Sequence, residues 1–281
     1  MDWLTEYKIP LGSWIKSLVD LLNAHAAGFF DLISWTLGGL INGMTAALVA
    51  IPPLLLLVLL ALLAWFLHRS WQLVALVVIS LLLIMNLGYW RETLETLALV
   101  IAATAICMLI GIPLGIMAAH RPRFYTVLRP ILDLMQTIPT FVYLIPTLIL
   151  FGLGVVPGLI STVIFALPAP IRLTYLGVSR VPKPLIEAGE SFGASPSQLL
   201  WKVELPYATP TIMAGLTQCI MLSLSMVVIA ALVGADGLGK PVVRALNTVN
   251  VARGFEAGLA IVLLAIMLDR LCRRPGTGGE G

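Results

Sequence analysis

The chain has 281 residues, of which 59% are apolar and only 11% are charged, and its mean hydropathy is +1.01. A soluble domain carries about 25% charged residues, so this composition excludes an ordinary soluble protein and indicates a membrane protein with several spans. The formal net charge of +3 comes without a basic tract, which argues against nucleic acid as a partner.

Seven apolar runs are candidate membrane-spanning helices, because a helix needs about 20 apolar residues to cross the hydrocarbon core. They lie at about Ala46–Leu67, Trp71–Leu87, Leu97–Ala119, Ile131–Leu153, Pro157–Val178, Ile212–Val233 and Phe255–Leu271. The sequence therefore predicts an all-α, polytopic membrane protein with about seven transmembrane helices in one domain, residues 46–271.

The two ends of the chain are predicted to lie outside that domain. Residues 1–45 form an N-terminal segment in which polar residues interrupt apolar stretches, a pattern typical of an amphipathic helix on the outer membrane surface. An eighth span, which would bury Asp31, is the alternative. We find no pattern of a cleaved signal peptide in the first residues. The Gly-rich residues 272–281 are predicted to be a disordered tail.

The orientation follows from the positions of Lys and Arg, which are in excess in cytoplasmic loops. Placing the N-terminus outside puts most of these residues on the cytoplasmic side, among them Arg121, Arg123 and Arg129. The sequence therefore predicts an outside N-terminus and an inside C-terminus.

No catalytic or metal site is expected. The three cysteines, Cys107, Cys219 and Cys272, are widely spaced, and no motif of a metal-dependent, serine or dithiol enzyme occurs. Residues Gly234 to Lys240 match the first seven positions of a phosphate-binding P-loop, but Pro241 replaces the hydroxyl that would meet magnesium. We predict that this glycine-rich turn shapes the outer mouth of the protein and binds no nucleotide.

The most informative stretch is the polar segment from Glu187 to Pro210. A short helix is predicted at about Leu185–Phe192, ended by Gly193 in a left-handed cap. A second helix is predicted to begin at Ser195, with Pro196 in its first turn and Gln198 completing a capping box. Pro206 is predicted to end it, because proline disfavours helical geometry in the preceding residue.

The same segment carries a family resemblance. It resembles the cytoplasmic coupling motif of binding-protein-dependent ABC importer permeases, E-A-A-xxx-G with a later L-P, in which Gly replaces the second Ala here. The resemblance assigns ATPase-coupling roles to Glu187, Ala188, Gly189, Gly193, Leu205 and Pro206. It implies a type I ABC importer permease fold, with residues 181–210 forming the coupling loop that docks on the ATP-binding subunit.

Three further stretches narrow the resemblance. Asp133–Pro146, Phe151–Thr162 and Gln218–Val243 are similar to permeases that import quaternary amines and osmoprotectants, most of all to choline permease subunits. The expected function is choline import across the bacterial inner membrane by a multi-pass, non-catalytic subunit. A glycine betaine/proline importer permease is the alternative, and an ion-coupled secondary carrier is a further one.

The resemblance also implies the partners. These are a second permease copy, a pair of ATP-binding subunits that hold the ATP and Mg²⁺, and a periplasmic substrate-binding protein, with membrane lipid around the spans. No cofactor is expected in this chain itself. Lys240 and Arg244, on the predicted outer face, are candidates for docking the binding protein.

The candidate passage through the membrane is lined by neutral groups. The central portions of the predicted spans have almost no ionisable residue, which favours an external energy source over a coupling ion. Aromatic faces and carbonyl dipoles suit a quaternary ammonium ion, which has no N–H to donate. Packing between helices is the alternative role for such residues. The candidates are Gln136, Thr137, Pro139, Thr140, Phe141, Tyr143, Ser223, Ser225 and Met226.

Overall fold

The computed structural model describes residues 11–273, and in this range the chain forms helices and no β-strand. The predicted tail therefore lies outside the described residues, apart from Cys272 and Arg273. In chain order the α-helices are α1 (Leu11–Ala50), α2 (Pro53–His68), α3 (Trp71–Asn86), α4 (Trp90–His120), α5 (Pro122–Thr137), α6 (Leu144–Phe151), α7 (Val155–Ala166), α8 (Pro168–Ser179), α9 (Lys183–Ser191), α10 (Pro196–Leu199), α11 (Leu205–Ala231), α12 (Gly239–Asn247) and α13 (Val251–Cys272).

The all-helical membrane fold is confirmed, but the spans differ from the seven apolar runs. Five helical stretches within the described residues are long and apolar enough to cross a membrane, or six if one bent pair counts as a span. They include α4, α13 and the continuous stretches Val155–Ser179 and Pro196–Ala231. Helices α2 and α3 are apolar but have 16 residues each, which is shorter than the usual length of a span.

The prediction of a first span at Ala46–Leu67 is wrong, because this run is not a single helix. Helix α1 ends at Ala50, and α2 begins at Pro53. Pro52 and Pro53 both lack a backbone N–H and cannot continue the hydrogen-bond ladder of α1. The apolar run therefore includes a turn between two helices.

The N-terminal segment continues into the bundle without a break at residue 45. Helix α1 has 40 residues and is kinked at Ala26, whose backbone is not helical, and Ala24–Ala50 meets the length and apolarity of a span. Its Phe30 ring meets Phe151 edge-on at 5.3 Å. The structure is thus compatible with the eighth-span alternative as well as with the interfacial helix.

The orientation of the N-terminus depends on which alternative holds. Val49, Val155 and Asp236 line one cavity, so α1 ends at the face where α7 begins. We call this face the far end and the opposite face, at residues 181–210, the coupling end. A crossing by Ala24–Ala50 would start at the coupling end. The predicted outside N-terminus requires instead that α1 stays on one surface, and it remains a prediction.

The predicted fourth span, Ile131–Leu153, is also not one helix. Pro122–Thr137 and Thr140–Phe151 are bent by 104° relative to each other, and Ile138 is extended, with φ −64° and ψ 129°. Pro139 follows that residue and excludes it from helical geometry. Pro139 therefore divides the predicted span into two helices.

Close packing holds α4, α8 and α11 together toward the coupling end. A Cβ built on Gly115 of α4 would lie 2.5 Å from Thr174 Cβ of α8, and one on Gly177 of α8 would lie 3.0 Å from Ala208 Cβ of α11. Glycine is required here because any side chain would push the helices apart. Such small-residue contacts are how membrane helices gain packing energy without a hydrophobic driving force.

Candidate functional site

The first helix of the coupling loop, α9, stands away from the bundle. None of its residues is buried, and Glu187 and Ala188 are exposed. Gly193 has φ +77°, and its N–H donates to the Glu190 carbonyl oxygen at 2.8 Å. The left-handed cap predicted at Gly193 is therefore confirmed, since a residue with a Cβ rarely adopts this conformation.

The second helix begins as predicted. The Gln198 backbone N–H donates to Ser195 Oγ at 3.4 Å, and the Ser195 N–H donates to Gln198 Oε1 at 2.8 Å. These two reciprocal bonds make the capping box. The chain direction after Gly193 is thus set by local hydrogen bonds.

The prediction that Pro206 ends this helix is wrong. Residues Pro196 to Ala231 form one continuous helical stretch of 36 residues, and Leu205 itself is helical, with φ −64° and ψ −44°. A π-helical turn at Leu200–Glu204 precedes the proline, and the Leu205 N–H donates to the Leu200 carbonyl five residues back. The wider turn accommodates a proline that could not make the ordinary α-helical bond.

The two helices of the coupling loop pack through Gly189. A Cβ at this position would lie 2.6 Å from Leu199 Cδ2 and 3.8 Å from Val203 Cγ2. Gly189 is the residue that departs from the alanine of the family motif, and its lack of a side chain lets α9 approach Leu199 closely. The loop is therefore one packed unit.

Two aromatic residues on this unit face away from the bundle, and the sequence alone did not single them out. Phe192 is 92% exposed and Trp201 is 68% exposed. Large aromatic side chains displayed beside polar ones are typical of protein interfaces. The coupling loop thus offers a surface suited to another protein.

A contact between distant residues joins this loop to α4. His120 Nε2 lies 2.7 Å from Glu204 Oε2, across 84 residues of sequence. His120 is the last residue of α4. No local pattern could have paired it with Glu204, because the contact depends on how α4 and α11 pack.

Tyr143, which the sequence made a candidate for the passage, has a structural role. Its hydroxyl donates to the Met135 carbonyl at 2.6 Å, the carbonyl that the missing N–H of Pro139 would have bonded in a continuous helix. The Tyr143 carbonyl in turn accepts from Thr147 Oγ1 at 2.9 Å. Tyr143 is buried, whereas Phe141 beside it is 59% exposed.

The structure divides the other candidate passage residues between two environments. Thr137, Pro139 and Ser225 are exposed, and Gln136 and Thr140 are half-buried. Ser223 and Met226 are fully buried inside the subunit. The Ser223 hydroxyl makes no conventional hydrogen bond and faces the Cys219 thiol, a weak partner. Ser223 and Ser225 thus lie on different faces of α11.

The exposed face of α11 is a mixed polar stripe. Gln218, Met221 and Ser225 follow one another at helical spacing and are all exposed. The Ser225 hydroxyl is satisfied by the Met221 carbonyl of its own helix, but an amide such as that of Gln218 is costly on a surface that faces only lipid. This face is therefore suited to a polar passage or to contact with another chain.

The glycine-rich turn at the far end is tightly packed. A Cβ on Gly239 would lie 2.2 Å from the Val227 carbonyl oxygen, and the Leu238 N–H donates to Thr96 Oγ1 at 2.8 Å. A P-loop instead leaves its N–H groups free to bind phosphate. The turn fixes the far ends of α4 and α11.

Beside this turn lies a cavity of about 500 Å³ lined by charged residues of both signs, including Arg91, Glu95 and Arg253. Lys240 and Arg244 also line it, and Lys240 forms an ion pair with Asp236. Burial raises the pKa of the Tyr89 phenol in the same cavity. In the part of the chain that the structure describes, no three His, Cys, Asp or Glu residues come together to hold a metal ion.

Comparison with known proteins decides the family. Residues 111–274 match a family described as binding-protein-dependent transport system inner membrane component. The chain belongs to this family. It is therefore the non-catalytic inner-membrane permease of an ABC importer, a class that works with an ATP-binding subunit and a substrate-binding protein.

Similar proteins cover nearly the whole chain. The chain is 47% identical over 266 residues to the glycine betaine/carnitine transport permease protein GbuB of Listeria monocytogenes, covering 94% of each. It is 49% identical to the glycine betaine transport system permease protein OpuAB of Bacillus subtilis, covering 94% of this chain and 93% of that one. These names favour the alternative, glycine betaine, and do not support choline as the substrate.

The fold is shared with a solved importer. Inward-facing structures of the MetNI methionine ABC transporter contain a chain that matches with a TM-score of 0.55 and 25% identity, covering 62% of this chain and 88% of that one. The predicted type I ABC importer permease fold is confirmed.

Proposed function

We propose that this permease imports glycine betaine or a closely related betaine, and that ATP hydrolysis in its partner acts through the coupling loop. The coupling role rests on the unit formed by α9 and α10. This unit is exposed, its chain direction is set by Gly193 and the Ser195 capping box, and it continues into α11. Glu187, Ala188, Gly189, Gly193, Leu205 and Pro206 form or support this unit on the cytoplasmic side.

Two copies of the chain enclose the passage. One copy displays a polar stripe on α11, which includes Gln218 and Ser225, and a second copy would shield it from lipid. Phe141 and Thr137 lie on the broken span and are also exposed, and Thr140 beside them is half-buried. Ser223 and Met226 pack inside each copy and support the passage from behind.

The chemistry of this surface suits a zwitterion. Glycine betaine carries a quaternary ammonium group and a carboxylate, so its net charge is zero. The side-chain amide of Gln218 can donate to a carboxylate, and an aromatic face such as that of Phe141 attracts the ammonium group. Choline keeps a net positive charge, which the neutral candidate residues of the passage would not compensate.

The far end receives the substrate-binding protein. Arg244 is exposed beside the Lys240–Asp236 ion pair, and exposed charges of this kind steer a complementary surface and set the register of docking. Membrane lipid covers the exposed apolar residues of the spans, such as Phe66 and Leu109.

Transport by the reconstituted complex tests this function. The permease is placed in liposomes with its ATP-binding subunit and its binding protein, and uptake of labelled glycine betaine, choline and carnitine is measured with and without ATP. We expect ATP-dependent uptake of glycine betaine. Uptake of choline without uptake of glycine betaine would contradict the proposed substrate. Accumulation by the permease alone under an ion gradient would instead support a secondary carrier.

A further inference from the structure

We propose that Glu204 is a positioning residue which, through His120, transmits movement of the coupling loop to α4. This inference rests on the proposed coupling role of the loop. It adds a second mechanical connection to the covalent one that leads from the loop into α11.

Glu204 is unusual in its burial. It is 8% exposed, and within residues 11–273 no other Asp, Glu, His, Lys or Arg residue is buried. A buried carboxylate is costly unless it is paired. Its partner is His120 Nε2 at 2.7 Å, on a side chain that is still partly exposed. The pair therefore joins the π turn, which contains Glu204, to the end of α4, which contains His120.

The place of Glu204 in the chain gives the contact a mechanical meaning. Glu204 is the last residue of the π-helical turn, directly before Leu205 and Pro206. A π turn holds one residue more than an α turn, so conversion to α geometry would rotate one side of the helix by about 100° relative to the other. A force on the coupling loop could be absorbed by this turn unless something fixes its far side.

The contacts of the loop show the route of the force. Helix α9 packs on α10 and the π turn through Gly189, which approaches Leu199 closely. From the π turn, one connection continues into α11 and the other crosses from Glu204 to His120 at the end of α4. With both connections, a push on α9 moves α4 and α11 together. Without the second, the push bends the chain at the π turn.

The test measures how many molecules of glycine betaine are imported per ATP hydrolysed by the reconstituted complex. Glu204→Ala and His120→Ala should each lower this ratio by about fivefold or more, while the permease still co-purifies with its ATP-binding subunit. The exchanged pair, His120→Glu with Glu204→His, should restore the ratio to near the wild-type value. A residue with a merely structural role would lower assembly and both activities together, and exchange would not restore the ratio.

The matched control is Asp269→Asn, which removes a carboxylate that forms an ion pair with Arg273 and is also largely buried. It should leave the ratio unchanged. Unchanged ratios in both alanine variants would overturn the proposal. If Glu204→Ala does not assemble, Glu204→Gln and His120→Ala decide by the same criterion. Failure of the wild-type complex to import glycine betaine would count against the proposed function and not against this pair.

Discussion

At the residue scale, the hydrogen bond between Tyr143 and Met135 shows how a broken membrane helix satisfies its backbone. Proline removes a donor, and hydrocarbon offers no water to replace it. The Tyr143 hydroxyl supplies the missing donor at 2.6 Å. The ring is therefore fixed by the fold, and its position close to the candidate passage follows from that role.

Replacement of Tyr143 by Phe should destabilise the subunit. The Met135 carbonyl would lose its partner in a half-buried place, at a cost of about 1 kcal/mol. We expect a lower melting temperature of the purified permease in detergent, with glycine betaine selectivity unchanged. Tyr207→Phe, at an exposed tyrosine, is the control. An unchanged melting temperature together with altered selectivity would return Tyr143 to the passage.

The sequence could not assign the two serines of α11 to their faces. Ser223 and Ser225 are both small, polar and inside an apolar run, and composition treats them alike. Their positions differ by about 200° around the helix, so one faces the neighbouring helices and the other does not. Only the packing of α11 against its neighbours distinguishes them.

At the scale of elements, local signals were predictive and long-range ones were not. Gly193 and the Ser195 capping box involve residues within a few positions of each other, and both were predicted correctly. The effect of Pro206 was not predicted correctly, because no short sequence motif indicates a π turn. The His120–Glu204 contact also escaped prediction, since it joins residues that only the fold brings together.

The left-handed cap at Gly193 predicts a graded set of variants. Asn tolerates this conformation, whereas Val does not, and the strain costs roughly 1–2 kcal/mol. A Cβ at Gly193 would meet no atom within 4 Å, so the effect should come from backbone strain alone. We expect Gly193→Asn to keep ATP-dependent uptake and Gly193→Val to lose it while still inserting into the membrane. Equal uptake by both variants would show that the cap is not needed for coupling.

At the scale of the whole molecule, the apolar runs identified a membrane bundle but not its turns. A hydrophobic run continues through Pro52 and Pro53 and through Pro139, because hydrophobicity measures solvation and not helical continuity. The bounds of the predicted spans were therefore wrong where a proline turn separates two helices or breaks one. Family membership supplied the fold that hydropathy could not.

The proposed arrangement of two copies around the passage predicts a pattern of cross-links. In a variant with Cys107, Cys219 and Cys272 replaced by Ala, Ser225→Cys should cross-link two copies in the presence of a short bifunctional thiol reagent. Ser223→Cys, whose side chain would be buried within the subunit, should not. Gel electrophoresis of treated membranes gives the result. Cross-linking at neither position would argue that α11 does not face a second copy.

The glycine contacts between α4, α8 and α11 have a consequence for how the transporter opens. Helices that touch with so little space between their backbones cannot slide without a clash, so these three form a rigid slab. If two copies enclose the passage as proposed, alternating access would come from rocking of one slab against the other at the contact between the copies. The interior of each protomer would stay the same in both states.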